Sequence, residues 1–195
     1  SLESRTVTSG FWLGSTKVAD RGLQILMLVF LANLLDPRDF GLMGIAMLSF
    51  SALTRFSNLG INSALVQNEE EDVDDYLDTA WLLELARYAV IATVLFLGAP
   101  LVAQLFDEPG ATALLRVFAL VPVFRGLKNP AIVYFQKDLE YQLQFVYRVS
   151  GSVVQLAVAV AWALVSPTVW ALIAALVTAE VTRTLTSYVV HPYRP

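Results

Sequence analysis

The stretch VSGSVVQLAVAVAWALVSPTVWALIAALVTA, Val149 to Ala179, runs for 31 residues without an Asp, Glu, Lys or Arg. Crossing the hydrocarbon layer of a bilayer takes about 20 predominantly apolar residues in a helix. The stretch is too long for one span and too short for two, unless each helix reaches past its charged boundary. Ser166-Pro167-Thr168 sits in the middle and reads as a turn. Two spans are therefore predicted, at about 143–165 and 168–190, with Arg148 near one end of the first and Glu180 and Arg183 in the second. Tyr88 to Phe106 gives another 19 uncharged residues.

The whole chain follows that pattern. Of its 195 residues, 56% are apolar and only 15% charged, and the mean hydropathy is +0.61. Ordinary soluble domains carry roughly a quarter charged residues. The runs exclude disorder and argue against a soluble globular domain. Working outward, a first span is predicted at about 9–35, stopped by Asp36-Pro37-Arg38-Asp39, because proline disfavours the helical region for its predecessor. A second covers about 40–60, followed by an amphiphilic connector and the acidic run Glu69 to Asp75. A third covers 79–106, closed by Asp107-Glu108-Pro109-Gly110. A fourth covers 111–135, with kinks expected at Pro122 and Pro130. The predicted fold is an all-α membrane protein, a bundle of six transmembrane helices forming one lobe over residues 1–195.

With the N-terminus inside, the inner ends carry Arg5, Arg55, Lys128, Lys137, Arg148, Arg183 and Arg194, and the outer ends only Arg38 and Arg116. The positive-inside bias then places both termini in the cytoplasm. Trp12, Trp81 and Trp170 fall near span ends as interfacial belt residues, and Trp162 reads as packing. Gly41, Gly44 and Ala46 give the second span a small face suited to close helix contact. The start at Ser1 and the polar end at Pro195 suggest a piece of something longer.

The net charge of −4 conceals a separation: the loops and termini sum to −9 and the predicted spans to +5. A charge at mid-bilayer costs about 2.5–3.5 kcal/mol on insertion scales and usually faces a bundle interior or a wet cavity. Arg55, Lys128, Arg148 and Arg183 lie near span ends, where snorkelling to the headgroups is an equal alternative. Lys17, Asp20, Arg21 and Gln24 fall at i, i+3, i+4 and i+7 and share one face of the first span. That stripe reads either as a cavity lining or as an internal salt-bridge scaffold. Glu84 with Arg87, and Glu180 with Arg183, are spaced to pair within their helices. Arg125, Lys128 and Asn129 form a second basic cluster with no acidic neighbour in sequence, beside Pro130. An excess of positive charge within apolar walls attracts anions, and guanidinium and ammonium groups suit phosphate or pyrophosphate.

Other chemistry has few tools here. There are no cysteines and one histidine, His191, which excludes disulfides and thiolate sites and disfavours a histidine triad or multi-histidine metal centre. The acidic run lacks the glycine and ligand spacing of a calcium loop. No phosphate-binding loop, GxSxG or HExxH pattern is present. Neither a cofactor nor a nucleic-acid partner is expected.

An ordered set of short motifs resembles a known family. These are LANLLDPRDFGL (Leu31 to Leu42), GINSALVQ (Gly60 to Gln67), DTAW (Asp78 to Trp81), Ala99-Pro100, FDEP (Phe106 to Pro109), LLR (Leu114 to Arg116), GLKNP (Gly126 to Pro130) and QKDL (Gln136 to Leu139). Their order and spacing are similar to those of lipopolysaccharide O-unit flippases and related polysaccharide biosynthesis proteins. These belong to the multidrug/oligosaccharidyl-lipid/polysaccharide flippase superfamily.

The resemblance covers nearly all of the chain but only the N-terminal half of a family member. It implies the N-terminal lobe of a twelve-to-fourteen-helix transporter that moves lipid-linked oligosaccharides from the cytoplasmic to the outer leaflet. The cell (plasma or inner) membrane is the implied location. The implied partners are a polyprenyl- or dolichyl-phosphate-linked oligosaccharide, membrane lipids, and a missing C-terminal lobe or a second copy. His191 to Pro195 looks like the start of an inter-lobe connection.

Lys17, Arg21, Gln24, Arg87, Arg125 and Lys128 are the candidate substrate contacts, by position, and Asp20 is a candidate counter-ion or ion-coupling group. No catalytic residue is assigned. The alternatives are a multidrug exporter of the same superfamily, an integral membrane glycan transferase, and a non-transporting remnant. The basic excess argues against the first and the short connections against the second.

Overall fold

Local chemistry places the helix ends. In the computed structural model, which describes residues 2–65, 73–133 and 141–190, α1 covers Leu2–Ala32, α2 Pro37–Leu65 and α3 Val73–Leu105. Next come α4 at Ala111–Phe118, α5 at Leu120–Gly126, a 3-10 turn at Pro130–Val133, α6 at Tyr141–Val165 and α7 at Val169–Val190. The motif Gln136 to Leu139, Glu69 to Asp72 of the acidic run, and His191 to Pro195 lie outside the described residues.

α1 tightens as it ends: the Asn33 and Leu34 N–H groups donate to Phe30 and Leu31 carbonyls at 3.3 and 3.0 Å. Such i→i−3 bonds use up carbonyls that a helix end otherwise orphans. Pro37 then opens α2 at the first helical position, where its missing N–H costs nothing, and Asp39 sits in the first turn, at the positive end of the helix dipole.

The end of α3 is equally specified. Asp107 takes φ 53°, the Glu108 N–H bonds the Ala103 carbonyl at 2.9 Å and the Asp107 N–H bonds Gln104 at 3.1 Å. That is the six-to-one and five-to-two pair of a Schellman cap, with an aspartate tolerating the left-handed position. Pro109 then prevents the helix from resuming at once.

Of the two kinks expected in the fourth span, the one at Pro130 is a full break, and the one at Pro122 is a one-residue interruption in which Ala119 keeps helical angles, φ −59° and ψ −15°. Pro122 has no N–H to give the Phe118 carbonyl, and the helix is interrupted at Ala119, between α4 and α5. Asn129, held out of the helical region by Pro130, separates α5 from the 3-10 turn. With α4 and α5 taken as one interrupted segment, six helical segments follow in the expected order.

Among the described residues, four helices are long and apolar enough to cross a membrane: Pro37–Ser57, Trp81–Leu105, Gln142–Val165 and Val169–Val190. α1 has the length, but Lys17, Asp20 and Arg21 interrupt its apolar run. α4 and α5 are each too short to span. The chain is an all-α, multi-pass membrane protein.

The chain divides into two compact units, residues 1–36 with 128–195, and residues 37–127. In the first, α1 and α7 both pack on α6. The buried residues of α6 and α7 are mostly small, among them Ala159, Ala163, Ala171, Ala175 and Ala179. Small residues let helix backbones approach where lipid offers no hydrophobic drive. In the second, α3 carries α4 and α5, and Phe50 of α2 meets Phe118 of α4 at a ring separation of 5.9 Å.

Two expectations need correction. Gly41 and Gly44 face open space, not a neighbouring helix, and of that small face only Ala46 is buried. Trp162, expected in packing, is 45% exposed. It lines an open apolar cleft of about 590 Å³ with Trp170 at the α6–α7 turn.

Candidate functional site

Successive residues of a helix turn by about 100°, so the stripe Lys17, Asp20, Arg21, Gln24 spans roughly a quarter of the α1 circumference. Its two edges meet different surroundings. On one edge Asp20 is half-buried and accepts from the Gln24 amide at 3.2 Å and from the Ser152 hydroxyl of α6. On the other, Lys17 and Arg21 are exposed. Ser152 in turn accepts from Arg183 Nη2 of α7 at 3.2 Å.

Arg183 continues the chain of contacts. Its Nη1 donates to Glu180 Oε1 at 3.1 Å, and Lys128 Nζ lies 2.8 Å from Glu180 Oε2. Glu180 is 1% exposed. A buried carboxylate without partners would be prohibitively costly; here two cations neutralise it. Lys128 is thereby removed from the basic cluster expected with Arg125 and Asn129: its charge is met by Glu180. Asn129 is buried too, and its backbone N–H donates to the Ser187 hydroxyl at 3.1 Å.

Arg183 reaches Ser152 by crossing α6 at Gly151. A Cβ there would overlap the Arg183 side chain, so only glycine leaves it a path. The network therefore runs Gln24, Asp20, Ser152, Arg183, Glu180, Lys128, and it joins α1, α6, α7 and the segment leaving α5. Its two acids and two bases balance.

In residues 37–127 the candidates are Arg87 and Arg125. Arg87 lies mostly buried on α3, 3.4 Å from Glu84 one turn earlier, with its guanidinium carbon 4.7 Å from the centre of the Tyr88 ring. Arg125, at the end of α5, stacks 4.9 Å above Phe50. Their helices touch beside them: a Cβ on Gly126 would stand 3.0 Å from that of Tyr88 and 3.4 Å from the Leu85 Cα. Gly126 thus fixes the level at which α5 meets α3. Arg116 lies 5.4 Å over Phe96. Of the four cations placed near span ends, Arg55 and Arg148 are exposed, whereas Lys128 and Arg183 bond to Glu180.

Sequence reasoning paired Glu180 with Arg183 and Glu84 with Arg87, and both pairs form. It missed Ser152, a hydroxyl inside the uncharged run, and the link from Lys128 to Glu180. The available signal was a solitary acid at the edge of 31 uncharged residues, which needs more than one partner to stay buried.

The arrangement can hold anions at exposed cations and hold itself together at buried ones. Residues 30–195 match the family model described as polysaccharide biosynthesis protein. The chain belongs to this family. Over its whole length it is 26% identical to the succinoglycan biosynthesis transport protein ExoT of Rhizobium meliloti (strain 1021), covering 40% of that protein. Over 72% of its length it is 24% identical to the lipopolysaccharide biosynthesis protein WzxC of Escherichia coli (strain K12), covering 28% of it. The chain thus spans less than half the length of these relatives. No solved structure matches it.

Proposed function

We propose that the chain is part of a flippase, which carries a lipid-linked oligosaccharide or polysaccharide precursor from the cytoplasmic to the outer leaflet by alternating access. No covalent chemistry is involved. The transport role named for the Rhizobium relative supports this reading. The observation that carries it is the exposure of Lys17 and Arg21 midway along α1, beside the exposed Ile25, Leu26 and Leu28.

A cation facing acyl chains at that depth costs about 2.5–3.5 kcal/mol on insertion scales, while one facing a wet cavity largely avoids the cost. The cavity is completed by further protein, a second lobe or a second copy, and a polyprenyl or dolichyl phosphate enters it. Lys17 and Arg21 are its cationic contacts and Gln24 a polar one, while Arg87 and Arg125 are separate candidate contacts within residues 37–127. Lys128 serves Glu180 instead. Asp20 is the ion-coupling candidate, as the carboxylate of the α1 stripe that accepts from the Ser152 hydroxyl. The protein sits in the cell (inner or plasma) membrane with both termini cytoplasmic.

The test is translocation of a lipid-linked sugar by the reconstituted full chain and its Lys17→Ala/Arg21→Ala variant. The rate is expected to fall about tenfold or more, from the loss of charge-assisted hydrogen bonds. Folded yield is expected to be unchanged, since both side chains are exposed. An unchanged rate in a folded variant overturns the proposal, and a new glycosidic bond in the product would assign a transferase.

A further inference from the structure

Between α2 and α3 runs a groove of about 330 Å³, lined by Leu53, Ser57, Ala86, Arg87, Val90, Ile91 and Val94. Both helices are long and apolar enough to span the bilayer, so the groove opens within the membrane. Its polarity changes along its length. Ser57 lies near the end of the second predicted span, and Arg87 lies six residues after Trp81, which sits near the start of the third as an interfacial residue. At 1.5 Å per residue, Arg87 is about 9 Å below the Trp81 level, within snorkelling reach of the headgroups. Leu53, Val90, Ile91 and Val94 continue toward mid-membrane, with Val94 about 10 Å deeper than Arg87.

We infer that this groove seats the lipid carrier of the transported glycan, with a carrier phosphate at Arg87 and the first part of a prenyl tail along Leu53, Val90 and Val94. The inference rests on the transport reading above and names where its substrate is held. The charge is complementary: a guanidinium is a planar fork of five donors that matches phosphate oxygens. Arg87 also contacts Glu84 at 3.4 Å and the Tyr88 ring at 4.7 Å, contacts that a planar guanidinium can share with a phosphate. The hydrocarbon is complementary as well, because every lining side chain below Ser57 and Arg87 is aliphatic. One groove beside one guanidinium suits a phosphate bearing a single tail. A two-tailed phospholipid would leave half its hydrocarbon without a wall.

The experiment labels the full chain in phosphatidylcholine nanodiscs with a photoactivatable undecaprenyl monophosphate and maps the modified peptides. Label is expected on the segments around Leu53–Ser57 and Ala86–Val94. Arg87→Gln is expected to lower it about tenfold, the worth of one charge-assisted hydrogen bond, and Arg87→Lys to retain most of it. Val90→Trp fills the groove and should lower labelling comparably, whereas Leu185→Trp, on exposed α7 surface, should not.

Phosphatidylglycerol competing at equal amounts, label spread evenly over all lipid-facing helices, or undiminished labelling of a folded Val90→Trp variant would each overturn the assignment. Translocation separates this failure from that of the parent reading. Normal transport with undiminished labelling of Val90→Trp removes the groove alone. Groove labelling without any transport removes the flippase and leaves a lipid site.

Discussion

The two units of the chain accommodate positive charge in different ways. In residues 1–36 with 128–195, the buried cations Lys128 and Arg183 converge on one carboxylate, Glu180, at 2.8 and 3.1 Å. In residues 37–127, guanidinium groups lie over rings, Arg87 on Tyr88, Arg116 on Phe96 and Arg125 on Phe50, and the ion pairs Arg87–Glu84 and Arg38–Glu108 each have an exposed partner. The difference teaches where each unit is fragile. Removing one partner of a buried ion pair strands the other charge in apolar surroundings. Removing one partner of a cation–π contact forfeits a smaller attraction and leaves an apolar ring that is content among apolar neighbours.

The largest expected effect is therefore at Glu180. Glu180→Ala removes the buried carboxylate on which Lys128 and Arg183 converge, and should cost about 3–5 kcal/mol, read as a lowered midpoint in denaturant titration of the detergent-solubilised protein. Adding Lys128→Met to Glu180→Ala should recover part of that loss, because the two sites share one interaction. If Glu180→Ala proved no worse than the arginine-on-ring variants below, the contrast between the units would be broken.

Gly151→Ala comes next. The added methyl group collides with Arg183, and overpacking of this kind costs about 1–3 kcal/mol. The same titration, in an Arg183→Ala background, should show Gly151→Ala nearly harmless. Arg125→Leu follows at about 0.5–2 kcal/mol. Phe50→Leu alone carries the further loss of the Phe118 contact, but its cycle with Arg125→Leu should reveal sub-additive coupling that sharpens the cation–π assignment. The smallest effect is at Arg38. Its 2.7 Å bridge to Glu108 is well formed, yet the Arg38 side chain is 71% exposed. Exposed pairs are largely screened, so Arg38→Ala should leave the midpoint unmoved.

Turns were legible in the sequence wherever a residue dictates its own backbone. Asp36-Pro37, Asp107 to Gly110 and Ser166-Pro167 act locally, and α6 and α7 end or begin within two residues of the expected positions. The fourth span was harder. The prolines at 122 and 130 both announce a disturbance, but whether a helix bends or breaks depends on what surrounds it: Pro122 leaves Ala119 in helical angles, whereas Pro130 follows a full break.

The candidate site divides the same way. A polar face on α1 follows from spacing alone. The split of that face, Asp20 inward and Lys17 with Arg21 outward, is set by where α6 lies against α1, which no local pattern encodes. Ser152 was hidden because a hydroxyl inside an apolar run carries no charge to draw notice. The Lys128–Glu180 contact was hidden because its partners are far apart along the chain.

The bond between Asp20 and Ser152 joins residues 132 positions apart. With translation proceeding at about 5–20 residues per second, α1 leaves the ribosome some 7 to 26 seconds before its anchoring hydroxyl exists. Throughout that interval a helix bearing Lys17, Asp20 and Arg21 must be sheltered by the insertion machinery, or rest at the membrane surface, until the hairpin of α6 and α7 arrives to receive it. Burial of Asp20 thus waits on α6 and α7, and a stall in elongation before Ser152 would leave α1 without the hydroxyl that anchors it.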